Sequence, residues 1–147
     1  MNEYRDSFAS LMRFAKDFSD EMVGAGYSLD VMNLDAAGGP SEWPKKDIIG
    51  VAEYTFTLDD GHIRVQTMFA VSTIEDTNNF RLNDIMNRLV NKLVPNMRIK
   101  LLNATSGATR GFLVVTNGTR VTPPEPSKTR VIQPIMVSLL SDQILRA

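Results

Sequence analysis

Few side chains in this sequence are of types that make or break bonds. His62 is the single histidine, and there is no cysteine. One imidazole can move a proton, but with no second histidine and no thiolate it has no companions for a metal site. Two carboxylate pairs, Asp59/Asp60 and Glu75/Asp76, have the chemistry of a general acid and base. Both stand at expected strand ends, where acidic residues commonly make turns. Glu53 falls on the polar face of an alternating strand, solvated or paired with a cation. Ser106 has no base near it in sequence, and no Gly-x-Ser-x-Gly elbow occurs. Gly107-Ala108-Thr109-Arg110-Gly111 has the glycines of a phosphate loop, but lacks the Gly-Lys-Ser/Thr ending. It also leads into a strand, so no helix N-terminus would face an anion. The expectation is a protein that is not an enzyme, with no catalytic residue, no metal ligand and no cofactor.

The charges carry more information. Residues 1–80 hold 6 Lys/Arg and 14 Asp/Glu, a balance of −8, whereas residues 81–147 hold 10 and 3, a balance of +7. If folding keeps the signs on separate faces, copies can dock head to tail, or one face can turn toward a polyanion. The basic residues of the second half are dispersed, and Phe112 is its only aromatic residue, with Phe80 standing just before it. RNA readers need exposed stacking rings, which weakens an RNA-binding reading. A diffuse basic face can still bind phosphates without sequence preference, so a non-specific nucleic-acid-binding accessory domain stands as an alternative function.

The elements that must position these residues follow from periodicity. Tyr4, Phe8, Leu11, Ala15, Phe18 and Met22 recur at four and three residues, which predicts an amphipathic helix, stopped by Gly24 and Gly26. Tyr27–Leu34 reads as a strand. Residues 35–46, with two glycines, two prolines and the only tryptophan, read as a loop. Ala52, Tyr54, Phe56 and Leu58 alternate with Glu53, Thr55 and Thr57. Across the turn Asp59-Asp60-Gly61, Ile63, Val65, Thr67, Phe69 and Val71 alternate in the same way. A second helix is expected after the capping residues Thr77-Asn78-Asn79, buried through Leu82, Ile85, Met86, Leu89, Val90 and Leu93 and ended by Pro95. Met97–Leu102 and Phe112–Val115 read as strands. Asn117-Gly118 is a hairpin signal, with Thr119-Arg120-Val121 returning from it. Pro123-Pro124-Glu125-Pro126 reads as a connector unable to join a ladder. Thr129–Leu140 is a long strand whose Pro134 calls for an edge or a bulge.

A chain of 147 residues, 43% apolar and 22% charged, is expected to form one globular domain, 1–147. The absence of cysteine suits a reducing compartment. The first residues are charged with no apolar signal core, and apolar runs of four or five residues fall far short of the ~20 that span a bilayer. Asn103-Ala104-Thr105 and Asn117-Gly118-Thr119 read as turns rather than glycosylation sites. The expected fold class is α+β, two helices packed on one face of a mostly antiparallel β-sheet, with long loops near 35–46, 103–111 and 122–128.

The Tyr4–Met22 stripe, the hairpin around Asp59-Asp60-Gly61, the Leu82–Leu93 helix and the strand Val131–Leu139 together resemble the small tail terminator proteins of tailed bacteriophages. The resemblance lies in the order and size of the elements over most of the chain; no motif carries functional residues across. It implies a structural virion protein of the tail, made in the bacterial host cytoplasm, forming a hexameric ring that caps the head-proximal end of the tail tube. It also implies tube, sheath or neck proteins as partners, or a spacer role at the baseplate end, with DNA met at most by passage or weak phosphate contact. Loop 35–46 and the hairpin around Asn117-Gly118 are additions to that layout. Interface residues are expected among Trp43, Arg110, Arg120, Lys128 and Arg130, each on or beside a loop without a role in the core.

Overall fold

The four-and-three stripe produces helix α1, Glu3–Gly24. Leu11, Ala15, Phe18 and Met22 are buried, while Tyr4 at the start of the stripe stays 58% exposed. The helix ends in a Schellman turn: the Tyr27 N–H reaches back to the Met22 carbonyl and the Gly26 N–H to that of Val23. Gly26 takes φ +90° there, which a side chain would resist.

A computed structural model describes residues 2–35, 44–127 and 129–142. After α1 come β1 (Leu29–Asn33), β2 (Asp47–Asp59), β3 (His62–Ile74), a single 3-10 turn (Thr77–Asn79), α2 (Phe80–Lys92), β4 (Arg98–Leu102), β5 (Thr109–Val115), β6 (Arg120–Val121), β7 (Glu125–Ser127) and β8 (Arg130–Ser141). The class is α+β, dominated by one mixed, mostly antiparallel sheet in the order β1-β2-β3-β8-β5-β4. The strand β1 lies parallel to β2, with Leu29 opposite Asp47 and Asn33 opposite Val51. Parallel neighbours cannot be joined by a tight turn. Residues 34–46 therefore have a topological job, returning the chain from the end of one strand to the start of the next.

One core is built from α1 (Leu11, Phe18), α2 (Leu82, Ile85, Leu89) and alternate residues of the long strands, including Phe69 and Ile135. On β3 the predicted alternation holds in the first half, with Ile63, Val65 and Thr67 buried between exposed Arg64 and Gln66, whereas Phe69–Thr73 are buried throughout. On β2 it breaks. Ile49 and Val51 belong to the core cluster before the break, and Tyr54 and Phe56 pack against it after. Ala52, expected to share a face with Tyr54, instead pairs with Met68, while Val51 pairs with Phe69. The cause is a β-bulge between Ala52 and Thr55, where Glu53 takes φ +52°. Opposite it, the buried Thr67 hydroxyl donates to the Ala52 carbonyl at 3.0 Å.

The last third departs further from expectation. Asn117-Gly118 does not reverse the chain. Leu113–Val115, then Arg120–Val121, then Glu125–Ser127 pair in succession with β8 at Leu139–Ser141, Ile135–Met136 and Arg130–Ile132. The Thr116 N–H to the Ser138 carbonyl and the Thr122 N–H to that of Pro134 carry the zipper between them. Residues 117–119 are an excursion on a line that keeps its direction. The proline segment does join a ladder, Pro126 standing opposite Val131. That is tolerated on a short outer strand that can turn its missing N–H outward. The strand β5 begins at Thr109, inside the expected loop 103–111. Pro134 is in a central strand, not at an edge: it faces Ala70 on one side and the gap between β6 and β7 on the other, where no ladder needs its N–H.

Candidate functional site

The charged residues of the two halves meet inside the molecule. Asp6 of α1, 0% exposed, accepts from Arg110 Nη1 at 2.6 Å and from the Ala104 N–H at 3.0 Å. Arg110 Nη2 also lies 3.5 Å from Glu3 Oε1. Burial alone would raise the Asp6 carboxyl, but these hydrogen bonds and the guanidinium charge outweigh it and hold the pKa below the usual carboxylate value. The cluster pins the start of α1 to β5 and the loop before it.

A second cluster joins β2, β3 and α2. Arg81 donates to both Asp47 carboxylate oxygens at 3.0 and 3.3 Å and to the Ile74 carbonyl. Asp76 receives the Arg81 and Leu82 N–H groups at 3.0 and 2.9 Å and the Thr73 hydroxyl at 3.0 Å. Here too burial works to raise the pKa and the donated hydrogen bonds win, leaving it lowered. Asp76 thus caps α2, not Asn79, whose side chain makes no capping bond and whose backbone is left-handed.

Arg130, 7% exposed, donates to Ser72 Oγ at 2.8 Å and to the carbonyls of Pro44 at 2.5 Å and Lys46 at 3.1 Å. Desolvation lowers its pKa, with the Asp47 charge acting against it. It clamps the end of the β1–β2 crossover to β3. Lys92 meets Glu21 at 3.0 Å, joining α2 to α1. Arg81, Lys92 and Arg110, all from the basic half, are therefore paired with carboxylates of the acidic half. The separation of charge along the sequence is spent partly on stitching the two halves together.

Of the expected interface residues, Arg110 on β5 and Arg130 on β8 are engaged within the subunit, as cations have to be when their neighbours are buried carboxylates and carbonyls. Arg120 is exposed on β6. Trp43 and Lys128 lie outside the described residues. Of the acid–base candidates, Asp76 is a cap, Glu53 a bulge, and the Asp59 side chain lies outside the description. His62 Nδ1 lies 3.2 Å from the Ser141 carbonyl. Among the described residues no group of three or more His, Asp or Glu could hold a metal ion. Nor is any described helix long and apolar enough to cross a membrane.

Sequence reasoning missed an aromatic cluster. Tyr4 and Phe8 from α1 stand edge-on to Tyr54 at 5.3 and 5.1 Å, and Tyr4 to Phe56 at 5.3 Å. The Tyr54 hydroxyl bonds Ser7 Oγ. Burial pushes its pKa up to about 12, with the Ser7 hydrogen bond opposing. The signal was present in the stripe, but Tyr54 reaches it only through the bulge at Glu53.

One open cleft of about 380 Å³ runs between α1 and β4, lined by Ser10, Arg13, Phe14, Arg98 and Lys100 among others. No protein-family model and no curated protein matches this chain. Among solved structures, a protein bearing no descriptive name superposes over 91% of this chain and 93% of its own, with a TM-score of 0.63 and 12% identity. At that identity the likeness concerns the fold alone.

Proposed function

We propose that this chain is a non-enzymatic structural protein of a bacteriophage tail, forming a ring that caps or joins the tail tube. A leading amphipathic α1, the long β2–β3 hairpin, α2 and the closing β8 follow one another as in the tail terminators that the sequence resembles. The polar residues fit a structural role. Asp6, Asp47, Asp76, Arg81, Arg110 and Arg130 each hold one element to another.

The observation that carries assembly is the second face of the sheet. We read both helices as covering one face, because core residues of β3 and β8 such as Val65, Phe69, Ile135 and Leu139 cluster with both α1 and α2. The alternate residues Met68, Ile132, Met136 and Leu140 then point the other way, and all four are only half-buried. Four half-covered apolar side chains on adjacent strands suit a neighbouring subunit better than water. A closed ring uses such a face in head-to-tail contacts. Arg81, Lys92, Arg110 and Arg130 are engaged internally, which takes them from phosphate contact and weakens a nucleic-acid role, although Arg98, Lys100 and Arg120 stay exposed.

Labelled antibody against the protein, applied to intact phage particles, tests the placement. Label at the head-proximal end of the tail supports it. Label at the baseplate end points to a spacer, and no label on particles removes the tail reading.

A further inference from the structure

The cleft between α1 and β4 has one wall of backbone and one of helix, and we propose that it takes an extended, acidic polypeptide segment of a partner protein as an added strand. Among the described residues β4 is the last strand of the sheet and pairs on one side only, with β5. Val115 donates to the Met97 carbonyl, and Ile99 and Leu101 share its parity, facing Leu113 and Gly111. The alternate residues must therefore direct their N–H and C=O groups away from the sheet. Leu102 shows that direction: its N–H bonds Ser10 Oγ on α1 at 2.8 Å. That bond closes one end of the cleft. Beyond it the helix and strand leave room, and the backbone groups of Arg98 and Lys100 face into the cleft.

Charge selects the occupant. Arg13, Arg98 and Lys100 line the cleft against a single carboxylate, Asp17, which Arg13 pairs at 2.9 Å. The Arg98 guanidinium lies 5.4 Å over the Phe112 ring of β5, which holds it on the sheet face that borders the cleft. Phe14 supplies an apolar patch on the helix wall. An outward row of alternating donors and acceptors is satisfied by another extended backbone, as in other strand-addition grooves. The sugar-phosphate backbone of DNA offers acceptors to the cations and outward N–H groups but no regularly spaced donors for the Arg98 and Lys100 carbonyls, which an extended polypeptide supplies.

The test uses the isotope-labelled full chain and three probes: capped Glu-Val-Glu-Val-Glu, capped Lys-Val-Lys-Val-Lys, and a single-stranded oligonucleotide. The acidic peptide should shift the Arg98 and Lys100 amides and slow their hydrogen exchange, while the Leu102 amide, already held by Ser10, changes little. It should bind roughly tenfold or more tightly than the lysine peptide. The exposed substitutions Arg98→Glu and Lys100→Glu should each weaken it by about an order of magnitude, with an unchanged amide spectrum elsewhere confirming the fold. Equal binding of both peptides, perturbation away from β4, or binding by the oligonucleotide in place of the acidic peptide would overturn the proposal. Because the readout is local to the Arg98 and Lys100 amides, its outcome is distinguishable from whether the protein forms rings.

Discussion

The Ser10 hydroxyl of α1 accepts a hydrogen bond from the Leu102 N–H at 2.8 Å, joining residues 92 apart in sequence. Nine residues later, Ser19 on the same helix donates to the Leu29 carbonyl at 2.6 Å. Leu102 belongs to β4 and Leu29 to β1, the two outermost strands. The sheet therefore curls far enough for one helix to reach both of its edges. Covering an edge with a helix is one way a protein blunts unwanted strand pairing. The capping is local, and it leaves Arg98 and Lys100 open.

Removing the Ser10 hydroxyl strands the Leu102 N–H. Ser10→Ala should cost about 1–3 kcal/mol, seen in urea unfolding as a lower midpoint at unchanged slope. Ser19→Ala should act in the same direction at the other edge. A midpoint unmoved by both variants would mean that water replaces these bonds at no cost.

Gly50 is a packing requirement. A Cβ there would lie 2.5 Å from both Cγ and Cδ1 of Leu34. Gly50→Ala should destabilise by about 1–3 kcal/mol through overpacking. Adding Leu34→Ala should recover part of that loss, a coupling that a double-mutant cycle measures directly.

Glu53 pays for the bulge with a left-handed backbone. Glu53→Gly should be neutral or stabilising by up to about 1 kcal/mol, and Glu53→Val destabilising by a similar amount or more. Calorimetric melting of the two variants reads the sign. A stabilised Glu53→Val would show that the register break lies elsewhere.

Asp6 and Asp76 both have lowered pKa values in the fold. A carboxyl that titrates lower when folded than the unfolded value of about 3.9 contributes stability above that pH and loses it as pH falls through the folded value. Acid unfolding should therefore steepen below about pH 4, and Asp6→Asn or Asp76→Asn should lower stability at neutral pH while flattening this limb. At the alkaline end the sign reverses. Tyr54, raised to about 12, favours the fold while protonated, so stability should fall as pH rises from about 10 toward that value. Tyr54→Phe should remove the latest-ionising step from an ultraviolet titration.

Much of the architecture was legible in local pattern. The α1 stripe, its glycine stop, the β3 alternation and the α2 core face depend on neighbours three or four residues apart, or two on a strand. What escaped depends on distant partners. Nothing near Asp6 says that Arg110 will neutralise it, and three serines in a helix look like solvent-facing residues until two prove to be edge caps. Asn117-Gly118 carries a hairpin preference, yet Thr116 before it and Thr122 after it both bond to β8, and the chain keeps its direction. The bulge at Glu53 is invisible because alternation continues on each side of it. The charge split, prominent in the sequence, is partly absorbed by Arg81, Lys92 and Arg110, so the proposed assembly rests instead on the half-buried face of Met68, Ile132, Met136 and Leu140.

Assembly through that face is the claim on which the functional account stands. Electron microscopy of the purified protein at high concentration tests it most directly. The account predicts closed rings with rotational symmetry, six-fold if the resemblance to tail terminators holds, and their loss on Met68→Glu or Met136→Glu. A monomer at every concentration, or rings indifferent to both substitutions, would contradict it.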